Sequence, residues 1–146
     1  MSAAADVTEV GLLVRVARSI GRPAETGLGI WILEGQAKPH AGCVELRAYA
    51  APRLAELTYL LDPSHWGRGL ALCMAWTAIA HAFLSAHIDA VIAGADRPNG
   101  ASFAVMRRLG MRFHKEVQYP LGAGADYVLH RDDPGPKPAP ALLPLA

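Results

Sequence analysis

The chain has 146 residues and a formal net charge of +1, with 52% hydrophobic and 18% charged residues. That length suits one domain with its own core and room for a loose tail. The composition excludes a wholly disordered chain, and the near-neutral balance excludes a protein built mainly around nucleic acid or an anionic membrane.

The N-terminus, Met1 to Asp6, has no cationic segment ahead of an apolar one, so a cytoplasmic protein without a signal peptide is expected. Residues 5–20 place Val10, Leu13, Val14 and Ala17 at helical spacing, and Gly21-Arg22-Pro23 would end that helix. Leu28 to Leu33 is rich in strand formers. His40 to Tyr49 reads as a second strand, with Val44, Leu46 and Ala48 on one face and Cys43, Glu45, Arg47 and Tyr49 on the other. Gly35 to Pro39 between them reads as a hairpin loop. Arg53 to Leu61 is a third strand, closed by Asp62-Pro63.

A long helix near 69–86 follows. Its run Leu70 to Ala86 is at the short limit for a membrane span, and Thr77, His81 and Ser85 line one face at spacings of four. A nearly all-apolar helix with one thin polar stripe reads as the central helix of a soluble protein. Ile88 to Asp96 has the apolar run of a strand buried on both faces. Asn99 is a good N-cap for a second helix, and Gly110 stands just past its end. Arg112 to Tyr119 alternates, with Phe113, Val117 and Tyr119 on one side; Pro120 to Gly124 turns into a last strand, Asp126 to Arg131.

From Asp133 onward, five prolines in fourteen residues exclude a helix or an inner strand. The expected organisation is a domain over residues 1–132 and an extended tail over 133–146. Cys43 and Cys73 form no CxxC pair, and no histidine cluster has zinc-ligand spacing, so two buried thiols and no metal are expected. Strand–helix–strand units need parallel pairing, which makes the whole an α+β or mixed α/β sheet.

The sharpest local feature is Pro63-Ser-His-Trp-Gly67-Arg68-Gly69-Leu70-Ala71, between a strand and a long helix. Glycines let the backbone approach a ligand, and the first turn of the helix offers amides with no partner in the chain. Together they suit an anion, to which Arg68 adds a full charge. A glycine turn that merely starts a helix is the competing reading. No Gly-Lys-Ser/Thr is present for a Walker A loop, and Leu72 stands where a dinucleotide fingerprint needs its third glycine. Asp89 falls near the position of that motif's acid, but it opens its strand instead of ending it.

Glu56 to Met111 resembles the GCN5-related N-acetyltransferase (GNAT) superfamily, and within it the RimJ/RimL-like group. Glu56-Leu-Thr-Tyr-Leu-Leu-Asp-Pro63 is similar to the family's fourth strand, and His65-Trp-Gly-Arg-Gly-Leu-Ala71 to its acyl-CoA pyrophosphate loop. Asn99-Gly-Ala-Ser102 through Met106 to Leu109-Gly-Met111 is similar to its later helix. The resemblance implies an acyl-CoA N-acyltransferase fold: a central mixed, mostly antiparallel sheet flanked by helices, here with a shortened N-terminal region holding one helix. It also implies acetyl transfer from acetyl-CoA, as co-substrate, to a primary amine on a protein N-terminus, a lysine or a small molecule.

In the family the fourth and fifth strands splay, and the pantetheine arm lies in the gap. The resemblance therefore assigns the coenzyme to Tyr59, Leu60 and Leu61 on the strand. His65, Trp66, Gly67, Arg68, Gly69 and Leu70 form its loop, and Asn99 and Ser102 its helix contact. A backbone amide there can polarise the thioester carbonyl, and much of the catalysis is positioning. The amine must be neutral to attack: a lysine-like amine costs roughly 4–5 kcal/mol to deprotonate at pH 7, an α-amine much less. Glu56 is the first candidate for the base, with His65 and His81 as others. Ser102 is the first candidate to hold or protonate the sulfur, because Met106 stands where many members carry a tyrosine; Tyr119 and Tyr127 are further donors.

The chain departs from the family pattern at Cys73, where an acidic residue is usual, and at Met106. These and the short N-terminus motivate a second hypothesis, a CoA-binding or interaction module with little turnover. The apolar helix and the short N-terminal region are compatible with a homodimer.

Overall fold

The structure, a computed structural model, describes residues 15–21, 28–34, 40–49, 51–67, 69–85 and 87–143. Among the described residues four strands come first: β1 (Arg15–Gly21), β2 (Gly29–Glu34), β3 (Gly42–Tyr49) and β4 (Ala51–Leu61). A 3-10 turn at Pro63–His65 leads into helix α1 (Leu70–Ser85). Strand β5 (Ala90–Asp96), helix α2 (Gly100–Arg108) and the hairpin of β6 (Arg112–Tyr119) and β7 (Gly122–His130) follow. The strands form a seven-stranded sheet of order β1-β2-β3-β4-β5-β7-β6. Among the described strands only β4 and β5 pair in parallel, as their connection through α1 requires.

The sheet corrects one expectation. Residues 15–21 are a strand paired antiparallel with β2, from Arg15 opposite Glu34 to Gly21 opposite Gly29, and not the end of a helix. The pairing shifts register between Val16 and Arg18. Such a bulge breaks the period of two, so the helical spacing of the neighbouring apolar residues stood out instead. Positions 5–14 and the loop at 35–39 lie outside the described residues.

The other elements follow from their patterns. In β3, Val44 and Leu46 are fully buried, while Cys43 and Glu45 on the other face are half-exposed. Ala48, expected beside Val44 and Leu46, is exposed near the strand's end. Strand β5 is buried over Ala90–Ala93, as its unbroken apolar run implies. Asn99 caps α2, its side-chain oxygen accepting the Ser102 amide at 3.2 Å. In β6 a register shift between Phe113 and Lys115 puts Phe113 opposite Tyr127, on the face away from Val117 and Tyr119. The last strand begins at Gly122, four residues earlier than expected, because Pro120-Leu121 is the whole turn.

Among the described residues the main core fills the space between the sheet and helices α1 and α2, and a smaller cluster of Ala90, Ile92 and Val128 packs with Tyr49 and Leu54. The main core includes Leu33, Val44, Leu46, Leu57, Met74, Ile79, Val91, Met106, Leu109 and Leu129. Each such side chain contributes roughly 1.5–3 kcal/mol by leaving water. Both cysteines are free; Cys73 is buried and Cys43 half-buried. None of the helices is long and apolar enough to cross a membrane, among the described residues.

The C-terminal segment explains why α1 is apolar nearly all round. Residues 134–143 form neither helix nor strand and pack along α1. Pro136, Pro140 and Leu143 are buried. The Leu143 amide donates to Thr77 Oγ1 at 2.9 Å, and Thr77 in turn donates to the Cys73 carbonyl at 2.7 Å. Gly135 passes so close to Trp76 that an added Cβ would lie 3.2 Å from its ring. The segment is therefore docked, not loose. Arg131 fastens its start by donating to the carbonyls of Phe83 and Ile88.

Candidate active site

The backbone pairing sets the site. Strands β4 and β5 pair only over Leu54–Glu56 and Ala90–Ile92. Beyond Glu56, β4 stays on β3 as far as Leu61, while β5 stays on β7 as far as Asp96. The strands part, and the β4 edge facing the gap carries amides and carbonyls free of a ladder. The gap is the floor of a cleft of about 650 Å³, a size suited to a small-molecule ligand.

Six of the expected residues line it from the strand and loop: Tyr59, Leu60, Leu61, Trp66, Gly67 and Gly69. Leu70 lines it at the start of α1, and Asn99 and Ser102 line it from the first turn of α2. Arg68 lies outside the described residues. Gly67 and Gly69 have φ of +79° and +72°, conformations costly for other residues. A Cβ at Gly67 would meet nothing within 4 Å, so the conformation and not crowding demands glycine there. The first helical bond of α1 runs from Cys73 N to Gly69 O at 3.2 Å. The amides of Leu70, Ala71 and Leu72 are thus the partnerless donors of a helix N-terminus. The Trp66 indole donates to Leu61 O at 2.8 Å and pins the loop to the end of β4.

Two expected residues are placed elsewhere. His65 is buried and does not line the cleft. Its amide donates to Asp62 O at 2.9 Å, and its Nδ1 lies 3.0 Å from Ser64 Oγ. Asp62 caps this 3-10 turn through the Ser64 amide at 3.1 Å. His65 therefore shapes the loop from behind instead of facing a ligand. Glu56 also does not line the cleft. It is the last residue of β4 paired with β5, and it points to the sheet face opposite Tyr59. Its Oε1 accepts from Arg47 Nε at 2.9 Å, and this bond, with the charge behind it, raises the Arg47 pKa.

The hydroxyl of Tyr59 is buried and meets no partner in hydrogen-bonding geometry. Burial pushes its pKa up, and the side chain of Ser102 beside it acts in the opposite direction. Met106 is fully buried in the core and can donate nothing. Tyr127 packs between Phe103 and Phe113, with ring centroids 5.8 and 6.1 Å away. His81 stands edge-on to Trp31 at 5.8 Å, on α1 away from the cleft. Asp89 is bound by Arg53, whose Nη2 lies 2.8 Å from Oδ1; this contact lowers the Asp89 pKa and commits its carboxylate to a structural pair.

Three features of the site escaped the sequence. Ala101, Val105 and Arg108 line the cleft at helical spacings of four and three, a signal visible once α2 is known to face it. Arg108 brings a cation to the same cleft as the glycine loop. Finally, Tyr119 donates its hydroxyl to the buried carboxylate of Asp126, and burial followed by this bond pushes its pKa strongly up. Tyr119 lines a second cavity of about 380 Å³ with Gly94, Asp96 and Leu121, and Asn99 lines both cavities. A Cβ at Gly94 would collide with both Tyr119 and Asp126.

A family model described as an acetyltransferase (GNAT) domain matches residues 8–112. The chain belongs to the GNAT acetyltransferase family. The family uses acetyl-CoA, and its fold is the one described above. Solved structures agree on that fold. A ribosomal-protein-S5-alanine acetyltransferase from Vibrio fischeri superposes with a TM-score of 0.67 at 16% identity, over 73% of this chain and 63% of that one. RimL, a ribosomal L7/L12 α-N-protein acetyltransferase in complex with coenzyme A, gives 0.62 at 20%, over 70% and 61%. A spermidine N-acetyltransferase mutant from Vibrio cholerae gives 0.64 at 15%, over 75% and 68%. The chain thus spans between 61% and 68% of the length of these three structures.

Proposed function

We propose that the chain moves an acetyl group from acetyl-CoA to a primary amine, the amine attacking the thioester directly while both are bound. The observation that carries this reading is the cleft beside the parted strands, lined together by a positive-φ glycine loop, a helix N-terminus, Asn99 and Ser102. Its donors fit the coenzyme: the amides of Leu70–Leu72 and the side chain of Arg108 suit phosphates, a role that the sequence of the loop also offers to Arg68. The free edge of β4 at Tyr59–Leu61 suits the amide groups of a pantetheine arm. Acetyl-CoA, once bound, supplies the activated acyl group.

The chain's own residues then divide the work. Asn99 spends its side-chain oxygen on the helix cap and keeps its NH₂ for the arm. Ser102 holds the sulfur and eases its departure. Glu56, at the point where the strands separate and on the opposite face, takes a proton from the amine directly or through one water, giving up its bond to Arg47 to do so. The second cavity, which shares Asn99 with the first, receives the acceptor. An α-amine needs less help from a base than a lysine does, because its pKa lies near 8. One of the similar structures is of an α-N-protein acetyltransferase and another of a spermidine acetyltransferase, and both acceptor classes belong in the test. A cytoplasmic homodimer and a catalytic domain ending at residue 132 are part of the same proposal.

Two observations favour a second reading, a CoA-binding module with little turnover: the buried Met106 and the commitment of Glu56 to Arg47. Calorimetry with CoA, followed by thiol release from acetyl-CoA over a panel of peptide N-termini, lysine and polyamines, separates the two. Transfer to any of these supports the enzyme; tight binding with no transfer supports the module; no binding overturns both. Ser102→Ala should lower turnover about tenfold or more with little loss of affinity, and an equal rate removes Ser102 from its role.

A further inference from the structure

Tyr59 brings the cleft a feature that coenzyme holding by the β4 backbone does not use. Its phenol lies between β4 and α2, part of the core on one side and of the cleft wall on the other. Its oxygen is buried without a partner. Buried hydroxyls in native proteins are nearly always bonded, so an orphan at a ligand cleft marks a bond that forms in another state. The polar side chain that acts on it is Ser102. Two hydroxyls, one from a strand and one from a helix, therefore stand side by side in one wall. Ser102 is fixed in place by its amide, held at 3.2 Å by the Asn99 cap, but its own O–H is a free rotor.

We propose that Tyr59 is a positioning residue for the leaving thiol: on coenzyme binding its hydroxyl donates to Ser102 Oγ and leaves the Ser102 proton directed at the sulfur. This rests on the reading that places Ser102 at the sulfur. Catalytic hydrogen bonds that are loose in a free protein commonly tighten in the complex. As the carbon–sulfur bond breaks, its electron pair passes to sulfur, and the two aligned donors share the new negative charge. The proton finally on the thiol is replaced by the one that the acceptor nitrogen loses when the amide bond forms, so Tyr59 and Ser102 end the cycle unchanged. A tyrosine kept protonated by burial has a proton to give, and Ser102 Oγ, once its own proton points at the sulfur, has lone pairs left to accept it.

The test uses the whole chain and free CoA as the probe. The thiolate of bound CoA is titrated by its ultraviolet absorbance in the wild type, Tyr59→Phe, Ser102→Ala and the double variant. A CoA analogue without sulfur serves as the affinity control. In the wild type the bound thiol should ionise about tenfold more readily than an ordinary thiol of pKa ~8.5. Tyr59→Phe should lose most of that gain, Ser102→Ala all of it, and the double variant should be no worse than Ser102→Ala, as for residues acting as one unit. Affinity for the sulfur-free analogue should stay within about twofold throughout. Tyr59→Phe removes an oxygen that makes no bond, so its thermal midpoint should be equal or higher. Wild-type thiol acidity in Tyr59→Phe, or additive losses in the double variant, overturns the proposal. If CoA binds and Ser102→Ala keeps the wild-type thiol acidity, the placement of Ser102 falls, and the role of Tyr59 with it. If CoA does not bind the wild type, the cleft assignment itself falls.

Discussion

Gly67 offers a perturbation whose effects on folding and on binding can be told apart. Its Cβ position is open for 4 Å in every direction, so Gly67→Ala meets no neighbour. What remains is the cost of a left-handed residue at φ +79°, about 1–2 kcal/mol, offset in part by the stiffer unfolded chain of alanine. The net loss is about 1 kcal/mol, or roughly 3 °C for a domain of this size. The same open space is where a diphosphate would approach the backbone. There a methyl group displaces an oxygen from its amide donors, and affinity for CoA should fall about tenfold, or ~1.4 kcal/mol. Gly67→Glu adds a charge. A carboxylate about 5 Å from two phosphate charges, at an effective dielectric near 60, adds about 2 kcal/mol of repulsion. Together these should cost CoA affinity at least about a hundredfold. Scanning calorimetry measures the first effect and titration calorimetry the second. A folded Gly67→Glu variant with wild-type CoA affinity would refute the anion cradle.

Other outcomes follow from single contacts. Thr77→Val removes the acceptor of the buried Leu143 amide and should cost about 1–3 kcal/mol in urea unfolding, with faster exchange of that amide; unchanged exchange would mean that the C-terminal segment is held by its prolines alone. Gly94→Ala drives a methyl group between Tyr119 and Asp126 and should cost about 2 kcal/mol, the worth of a charge-assisted bond. Equal stability would show that the pair relaxes at no cost. Both Tyr59 and Tyr119 have raised pKa values, so the folded chain holds their protons more tightly than the unfolded one. Their contribution is complete below pH ~10 and is lost as pH rises beyond it toward the folded values. Unfolding measured at pH 9 and 11 should show this fall, and Tyr119→Phe should lessen it; identical slopes would contradict the assignment.

The parts of the fold visible in the sequence were those whose determinants are local. Glycine and proline punctuation marked the ends of β4, α1 and α2, and the Asn99 cap was readable because capping needs only a short side chain three residues from its donor. The glycine loop was readable for the same reason. Strand β1 was hidden by its own bulge, and its ladder partner is β2, an element apart. Alternation alone puts Phe113 on the wrong face, because a second bulge, at Phe113–Lys115, reverses it. Proline content marked residues 134–143 as extended but could not name Thr77 or Trp76 as their seat. The Tyr119–Asp126 bond runs diagonally across a hairpin, where no register rule puts the two opposite each other. Tyr59 was found for its backbone, whereas the isolation of its hydroxyl depends on how α2 packs against β4.

The sheet is in effect two plates, one of four strands and one of three, welded along only Leu54–Glu56 and Ala90–Ile92. A molecule seated in the cleft touches β4 of the first plate and helix α2, which joins two strands of the second, and so acts as a rivet. Its binding free energy enters the cooperativity of the whole chain, and the weakest join in the backbone becomes, when filled, a place where the two halves cannot loosen separately.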